Sequence, residues 1–172
     1  MKMRIAFVED CGDELHETVA AVDEFFGKLN MTPEKQTFVS AQKFLEACHS
    51  DPFDIVFMDI YLEKESGMEA AKELSILNLP TEIIFVSSST DFLLEGYSVH
   101  PAGYVLKPTE EHKGLLNDAL KYALQKLTAA HKTIALSLPD GPADVVYSDI
   151  LWIESYMRSV TLYLKNGDKL AR

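Results

Sequence analysis

The stretch that decides the fold is Ile55–Asp59, with the sequence Ile-Val-Phe-Met-Asp. A short apolar run with β-branched and aromatic members is typical of a strand buried on both faces, in the middle of a parallel sheet. The run ends on a carboxylate, which such a strand delivers to the carboxyl edge of the sheet. Open α/β sheets bind their ligands at that edge, so Asp59 is the first candidate for a functional residue.

Strand and helix patterns alternate on both sides of this stretch. Apolar strand patterns occur at residues 5–8, 36–39, 55–58, 83–86 and 103–106. Each is followed by a segment with the apolar spacing of a helix, the fourth of which covers residues 92–97. Ser40 and Thr109 can cap the second and the fifth of these helices. Because parallel crossovers are right-handed, the pattern predicts a doubly wound (βα)5 parallel sheet.

Composition limits the classes of protein to which the chain can belong. It has 172 residues, 47% of them hydrophobic, which is enough for one ordinary domain with some chain left over. The net charge of −11 argues against non-specific binding of nucleic acid by most of the chain. We find neither an apolar run of membrane-spanning length nor a signal peptide, and the cysteines Cys11 and Cys48 have no metal-binding spacing. We therefore expect a cytoplasmic protein that does not bind membranes.

Polar residues follow four of the predicted strands. Glu9 and Asp10 follow the first strand, Asp59 ends the third, Ser87 the fourth and Lys107 the fifth. Carboxylates brought together repel one another unless a cation lies between them, and Mg²⁺ prefers such oxygen ligands. An ammonium and a hydroxyl beside them suit a phosphoryl group bound to a carboxylate.

These strand-end motifs resemble the receiver domain of two-component response regulators, which has a CheY-like or flavodoxin-like fold. The matching motifs are residues 7–10 (FVED), 58–60 (MDI), Gly67 eight residues after Asp59, 84–88 (IFVSS) and 104–108 (YVLKP). The resemblance implies that Asp59 is the phosphoacceptor and that Lys107 and Ser87 contact the phosphoryl group. It also implies that Ser87 and Tyr104 form a switch and that the Lys107–Pro108 peptide bond is cis.

The resemblance further implies a Mg²⁺ site. Its ligands would be the carboxylates of Glu9, Asp10 and Asp59 and the backbone carbonyl of Tyr61. Tyr61 departs from the family pattern, because many receivers have a smaller polar residue at this position.

Polar residues at such a sheet edge are compatible with three other kinds of site. A flavodoxin-like mononucleotide site requires a phosphate-binding loop after the first strand, but residues 9–14 (EDCGDE) would repel a phosphate. A phosphatase of the haloacid dehalogenase type requires a second aspartate two residues after the nucleophile, where this chain has Tyr61. A pseudo-receiver that binds partners without phosphorylation stays open, although the complete set of Asp59, Asp10 and Lys107 argues against it.

The C-terminal residues have a different pattern. Short strand-like segments occur at 133–138, 145–146, 150–154 and 160–165, and Asn166–Gly167 is a turn signal. Residues 149–155 (DILWIES), 160–164 (VTLYL) and 166–168 (NGD) resemble the start of a LytTR-type DNA-binding domain, which is all-β. Residues 133–172 hold 5 acidic and 4 basic residues, so the basic surface expected for phosphate contacts is missing.

The predicted protein is a response regulator with three parts. These are a receiver domain at 1–127, a linker at 128–133 and a partial LytTR-like DNA-binding domain at 134–172. We expect a sensor histidine kinase as phosphodonor, control of transcription as output, and no enzymatic activity. DNA binding by these 172 residues should be weak or absent. Phosphorylation is expected to promote a homodimer through the fourth helix, the fifth strand and the fifth helix.

Overall fold

The computed structural model describes residues 3–77, 79, 81–130, 132–138, 141–157 and 159–171. The chain divides into two compact units, Met1–Ala123 and Leu124–Arg172. Among the described residues, we find no helix whose length and apolar character would allow it to cross a membrane.

The first unit is built on a five-stranded parallel sheet. Its strands are β1 (Arg4–Val8), β2 (Glu34–Phe38), β3 (Ile55–Asp59), β4 (Glu82–Ser87) and β5 (Gly103–Leu106). Their order across the sheet is β2-β1-β3-β4-β5, with β3 paired to β1 on one side and β4 on the other. All five residues of β3 are buried, as its apolar sequence predicts. β2 lies at an edge, and four of its five residues are exposed.

Helices cover both faces of this sheet. They are α1 (Gly12–Lys28), α2 (Ala41–Ser50), α3 (Gly67–Ile76), α4 (Leu93–Gly96) and α5 (Lys113–Ala130). Phe44 of α2 and Leu74 of α3 belong to one buried cluster with Val56 and Met58 of β3. On the opposite face of β3, Phe57 stacks on Phe7 with ring centroids 5.0 Å apart. The predicted (βα)5 architecture is confirmed.

The helix after β4 is shorter than the sequence predicts. α4 has only four residues, and a 3-10 turn follows at Tyr97–Val99. Glycine at position 96 disfavours a longer helix. His100 has a φ of +49° and precedes Pro101, a position that itself disfavours helical backbone. The local sequence therefore limits this segment to about one helical turn.

The two predicted helix caps have different outcomes. Ser40 caps α2, because its Oγ accepts a hydrogen bond from the Lys43 N–H at 3.4 Å. The prediction for Thr109 is wrong, since α5 begins only at Lys113. The buried hydroxyl of Thr109 instead lies 3.1 Å from the hydroxyl of Thr18 on α1. This hydrogen bond joins α1 to the β5–α5 loop.

The second unit contains short antiparallel strands. They form a hairpin of β6 (Thr133–Leu138) and β7 (Gly141–Val146) and a three-stranded sheet of β8 (Ile150–Tyr156), β9 (Ser159–Leu164) and β10 (Lys169–Ala171). Val145, Leu162 and Leu164 form a small buried cluster. The predicted turn joins β9 to β10, and Gly167 has a φ of +88°, which favours glycine. The expected partial all-β segment is confirmed.

The linker predicted at 128–133 overlaps regular structure at both ends. α5 continues through Ala130, and β6 begins at Thr133. The boundaries of the receiver domain at 1–127 and of the LytTR-like segment at 134–172 stay predictions.

Candidate functional site

The parallel sheet brings the strand-end residues to one edge. Glu9 directly follows β1, and Asp59 and Ser87 are the last residues of β3 and β4. Lys107 directly follows β5, and its backbone N–H donates to the Ser87 carbonyl at 2.9 Å. The Lys107–Pro108 peptide bond is cis, as the resemblance to receiver domains implies.

Lys107 lies at the centre of the site. Its Nζ donates hydrogen bonds to Glu9 Oε2 at 2.7 Å, to Asp59 Oδ2 at 2.9 Å and to Glu14 Oε2. Burial alone would lower the pKa of Lys107, but the hydrogen bonds to the three carboxylates outweigh it, so the pKa lies above its ordinary value. The side chain, only 8% exposed, is therefore a fixed positive charge beside Asp59.

Three carboxylates form an acidic cluster beside this lysine. Glu9, Asp10 and Asp59 each offer an oxygen atom, and these atoms lie within 4.8 Å of one another. Glu9 and Asp59 are buried, whereas Asp10 is exposed. Burial raises the pKa of Glu9, and the hydrogen bonds from Lys107 and from the Cys11 N–H offset only part of that rise. A carboxylate that burial disfavours in its charged form gains from a nearby cation, so the cluster suits a hard divalent ion.

The loop between β3 and α3 is held against these carboxylates. The Tyr61 N–H donates to Asp59 Oδ1 at 3.2 Å, and the Glu63 N–H donates to Asp10 Oδ2. The Gly67 N–H donates to the Ile60 carbonyl at 3.1 Å and closes the loop. The sequence motif places Tyr61 beside the site, and the role of its carbonyl as a metal ligand stays a prediction.

Ser87 and Tyr104 lie on neighbouring strands, two register positions apart, because Ser87 pairs with Leu106 and Tyr104 pairs with Phe85. Ser87 is fully buried, and its Oγ accepts a hydrogen bond from the Ser89 N–H at 3.4 Å. The Tyr104 hydroxyl donates to the Ser89 carbonyl, and its ring packs against Phe85 with centroids 6.0 Å apart. Burial raises the pKa of Tyr104, which keeps the phenol a neutral donor near pH 7. Both residues thus contact the loop that follows β4, and their role as a switch stays a prediction.

Two glutamates at the site were missed by the sequence analysis. Glu14 of α1 is the third partner of Lys107. Glu65 accepts hydrogen bonds from the Ser40 hydroxyl at 3.0 Å and from the backbone N–H groups of Ala41 and Gln42 at the start of α2. Glu65 thus anchors the β3–α3 loop to a helix N-terminus. Neither glutamate belongs to a recognisable motif, so only the folded geometry reveals them.

Comparison with curated proteins finds relatives among sensory transduction proteins. The chain is 27% identical over 154 residues to the sensory transduction protein LytT of Bacillus anthracis, a match that covers 80% of this chain and 62% of the relative. It is 29% identical over 111 residues to the sensory transduction protein LytR of Staphylococcus haemolyticus, covering 63% of this chain and 41% of the relative. The chain therefore spans less than two thirds of the length of these relatives.

Solved structures with the same fold include a CheY-like response regulator receiver domain protein from Methanospirillum hungatei. It has a TM-score of 0.61 and 21% identity, and the match covers 74% of this chain and 98% of that one. The family model for the response regulator receiver domain matches residues 11–120, a range that includes Asp59, Ser87 and Lys107. The chain belongs to the family of response regulator receiver domains.

Proposed function

We propose that Asp59 accepts a phosphoryl group and that this step switches a regulator of transcription. The observation that carries the proposal is the position of the Lys107 ammonium, 2.9 Å from Asp59 Oδ2, beside the acidic cluster. A buried carboxylate beside a fixed ammonium and a potential cation site is arranged to become an acyl phosphate rather than an acid–base catalyst.

The acidic cluster fits Mg²⁺ in the chemistry of its ligands. The carboxylates of Glu9, Asp10 and Asp59 and the carbonyl of Tyr61 would hold the ion, which would supply positive charge for the phosphoryl oxygens. The raised pKa of Glu9 supports this assignment, because a nearby divalent ion would favour the charged carboxylate.

The chain's own residues would act as follows. A carboxylate oxygen of Asp59 attacks the phosphorus atom, and the bond between phosphorus and the donor's leaving group breaks. Lys107 binds a phosphoryl oxygen and offsets the incoming negative charge. The Ser87 hydroxyl donates a hydrogen bond to another phosphoryl oxygen, and the Tyr104 side chain moves into the volume that Ser87 leaves.

The partners follow from this assignment. We propose a sensor histidine kinase as the phosphodonor, with the transfer taking place in the cytoplasm. The chain would then receive the phosphoryl group and would not be an enzyme acting on a separate substrate. A further relative is the transcriptional regulatory protein LytR of Staphylococcus aureus, 28% identical over 69 residues, a match that covers 40% of this chain and 28% of the relative. Its name supports transcription as the output. DNA would be bound through a LytTR-type domain to which residues 134–172 contribute.

The test is labelling by acetyl phosphate, followed by intact-mass spectrometry. We expect one phosphoryl group on the wild type in Mg²⁺ and none in excess EDTA. Asp59→Asn keeps the shape of the side chain but should abolish labelling, whereas Asp118→Asn makes the same change at an exposed site on α5 and should label normally. Full labelling of Asp59→Asn, or no labelling of the wild type, would contradict the proposal.

A further inference from the structure

Helix α1 holds the β5–α5 loop at three successive points. Its side chains contact a side-chain ammonium, a backbone N–H and a buried hydroxyl of that loop. The pairs are Glu14 with Lys107 Nζ, Glu17 with the Glu110 N–H, and Thr18 with the Thr109 hydroxyl. Two of these contacts only fix the loop, whereas the contact from Glu14 reaches the functional ammonium itself.

The hydrogen-bonding capacity of Lys107 is fully used. An ammonium has three protons, and here each can be matched to one carboxylate: Glu9, Asp59 or Glu14. A phosphoryl oxygen can therefore bind Lys107 only if one of these carboxylates gives up its hydrogen bond.

Glu14 is the partner that is easiest to displace. Its side chain is 42% exposed, against 7% for Glu9 and 5% for Asp59. Water can solvate Glu14 when its contact with Lys107 breaks, but it has little access to the two buried carboxylates. Glu14 also lies outside the acidic cluster of Glu9, Asp10 and Asp59, so its release would leave the candidate metal ligands in place.

We propose that Glu14 is a positioning residue that competes with the phosphoryl group for Lys107. In the unphosphorylated protein it holds the ammonium, and its negative charge repels the arriving phosphoryl group. On phosphorylation Lys107 exchanges Glu14 for a phosphoryl oxygen. Glu14 thereby disfavours phosphorylation without touching Asp59. This inference rests on the proposed function of Asp59.

The test compares Glu14→Gln with Glu17→Gln. Both variants remove one negative charge from α1 near the same loop, but Glu17 contacts the Glu110 N–H and not Lys107. At saturating Mg²⁺ we expect Glu14→Gln to bind beryllofluoride, measured by ¹⁹F NMR, about fivefold more tightly than wild type. Labelling by acetyl phosphate should accelerate by a similar factor. Glu17→Gln should match the wild type in both measurements.

The affinity for Mg²⁺ separates competition from a structural effect. Losing a nearby negative charge should leave Mg²⁺ binding unchanged or weaker. In Glu14→Gln the affinity for beryllofluoride should therefore rise without a rise in the affinity for Mg²⁺. Looser folding would weaken both. If Glu14→Gln does not fold, Glu14→Asp withdraws the carboxylate from Lys107 by one methylene and should shift beryllofluoride binding in the same direction.

Unchanged or weaker beryllofluoride binding in the Glu14 variants would overturn the inference. An equal gain in Glu17→Gln would also overturn it, because the effect would then be general electrostatics. Both results presuppose a wild type that is labelled at Asp59. A wild type that is not labelled would contradict the proposed function instead, so the two failures can be told apart.

Discussion

Gly67, the first residue of α3, lies against the end of β3. A Cβ atom added there would be 1.8 Å from the backbone carbonyl oxygen of Asp59 and 2.9 Å from Met58 Cγ. An ordinary carbon–oxygen contact is about 3.3 Å, so Gly67→Ala would require a shift of about 1.5 Å between these backbones. β3 is paired on both sides and fully buried, so it has no free direction in which to move. We expect a loss of roughly 3 kcal/mol in the free energy of unfolding.

The assay is urea and thermal unfolding followed by circular dichroism. For a chain of this length, that loss corresponds to a fall in Tm of roughly 6–12 °C. Gly27→Ala in α1 is the matched control, because a Cβ there meets nothing within 4 Å. It should be neutral or stabilising by up to about 1 kcal/mol. A Gly67→Ala protein as stable as the wild type would refute the reasoning.

Three further outcomes are expected. Lys107→Met should abolish labelling by acetyl phosphate, and labelling at the wild-type rate would contradict the role of Lys107 in binding the phosphoryl group. The same variant should lose about 3 kcal/mol of unfolding free energy in urea without Mg²⁺, because the buried carboxylates lose their cation. Sedimentation with beryllofluoride should show a dimer that Tyr104→Ala weakens. A wild type that stays monomeric would contradict the predicted dimer. A Tyr104→Ala variant that dimerises like the wild type would contradict only the role of the tyrosine. In a shift assay at physiological salt the 172-residue chain should bind DNA weakly or not at all, because residues 133–172 hold 5 acidic and only 4 basic residues. Tight, site-specific binding would contradict this expectation.

The sheet and its functional edge could be predicted because they depend on local patterns. A buried parallel strand requires an uninterrupted apolar run, and Ile55–Asp59 has one. Strands that alternate with crossover helices run parallel, so their carboxyl ends lie at one edge of the sheet, together with the residues at each strand end. Glu9, Asp59, Ser87 and Lys107 are therefore recognisable from their positions at the end of a strand or directly after it.

The contacts that the sequence does not reveal depend on how the helices and loops pack against one another. Thr109 is an acceptable cap by its residue type, yet its hydroxyl pairs with Thr18 because α5 begins four residues later. Glu14 and Glu65 look like ordinary surface glutamates in the sequence. Glu14 contacts Lys107 and Glu65 contacts the start of α2 because of tertiary packing. The periodicity of a helix does not predict which residues of other elements its side chains contact.

The most direct measurement locates the phosphoryl group. The wild type is labelled by acetyl phosphate in Mg²⁺, the acyl phosphate is reduced with borohydride, and the modified residue is identified by peptide mass spectrometry. The modification should lie at Asp59 alone and disappear when EDTA replaces Mg²⁺. A modification at Glu9 or Asp10, or one at Asp59 that does not depend on Mg²⁺, would contradict the proposed role of this site.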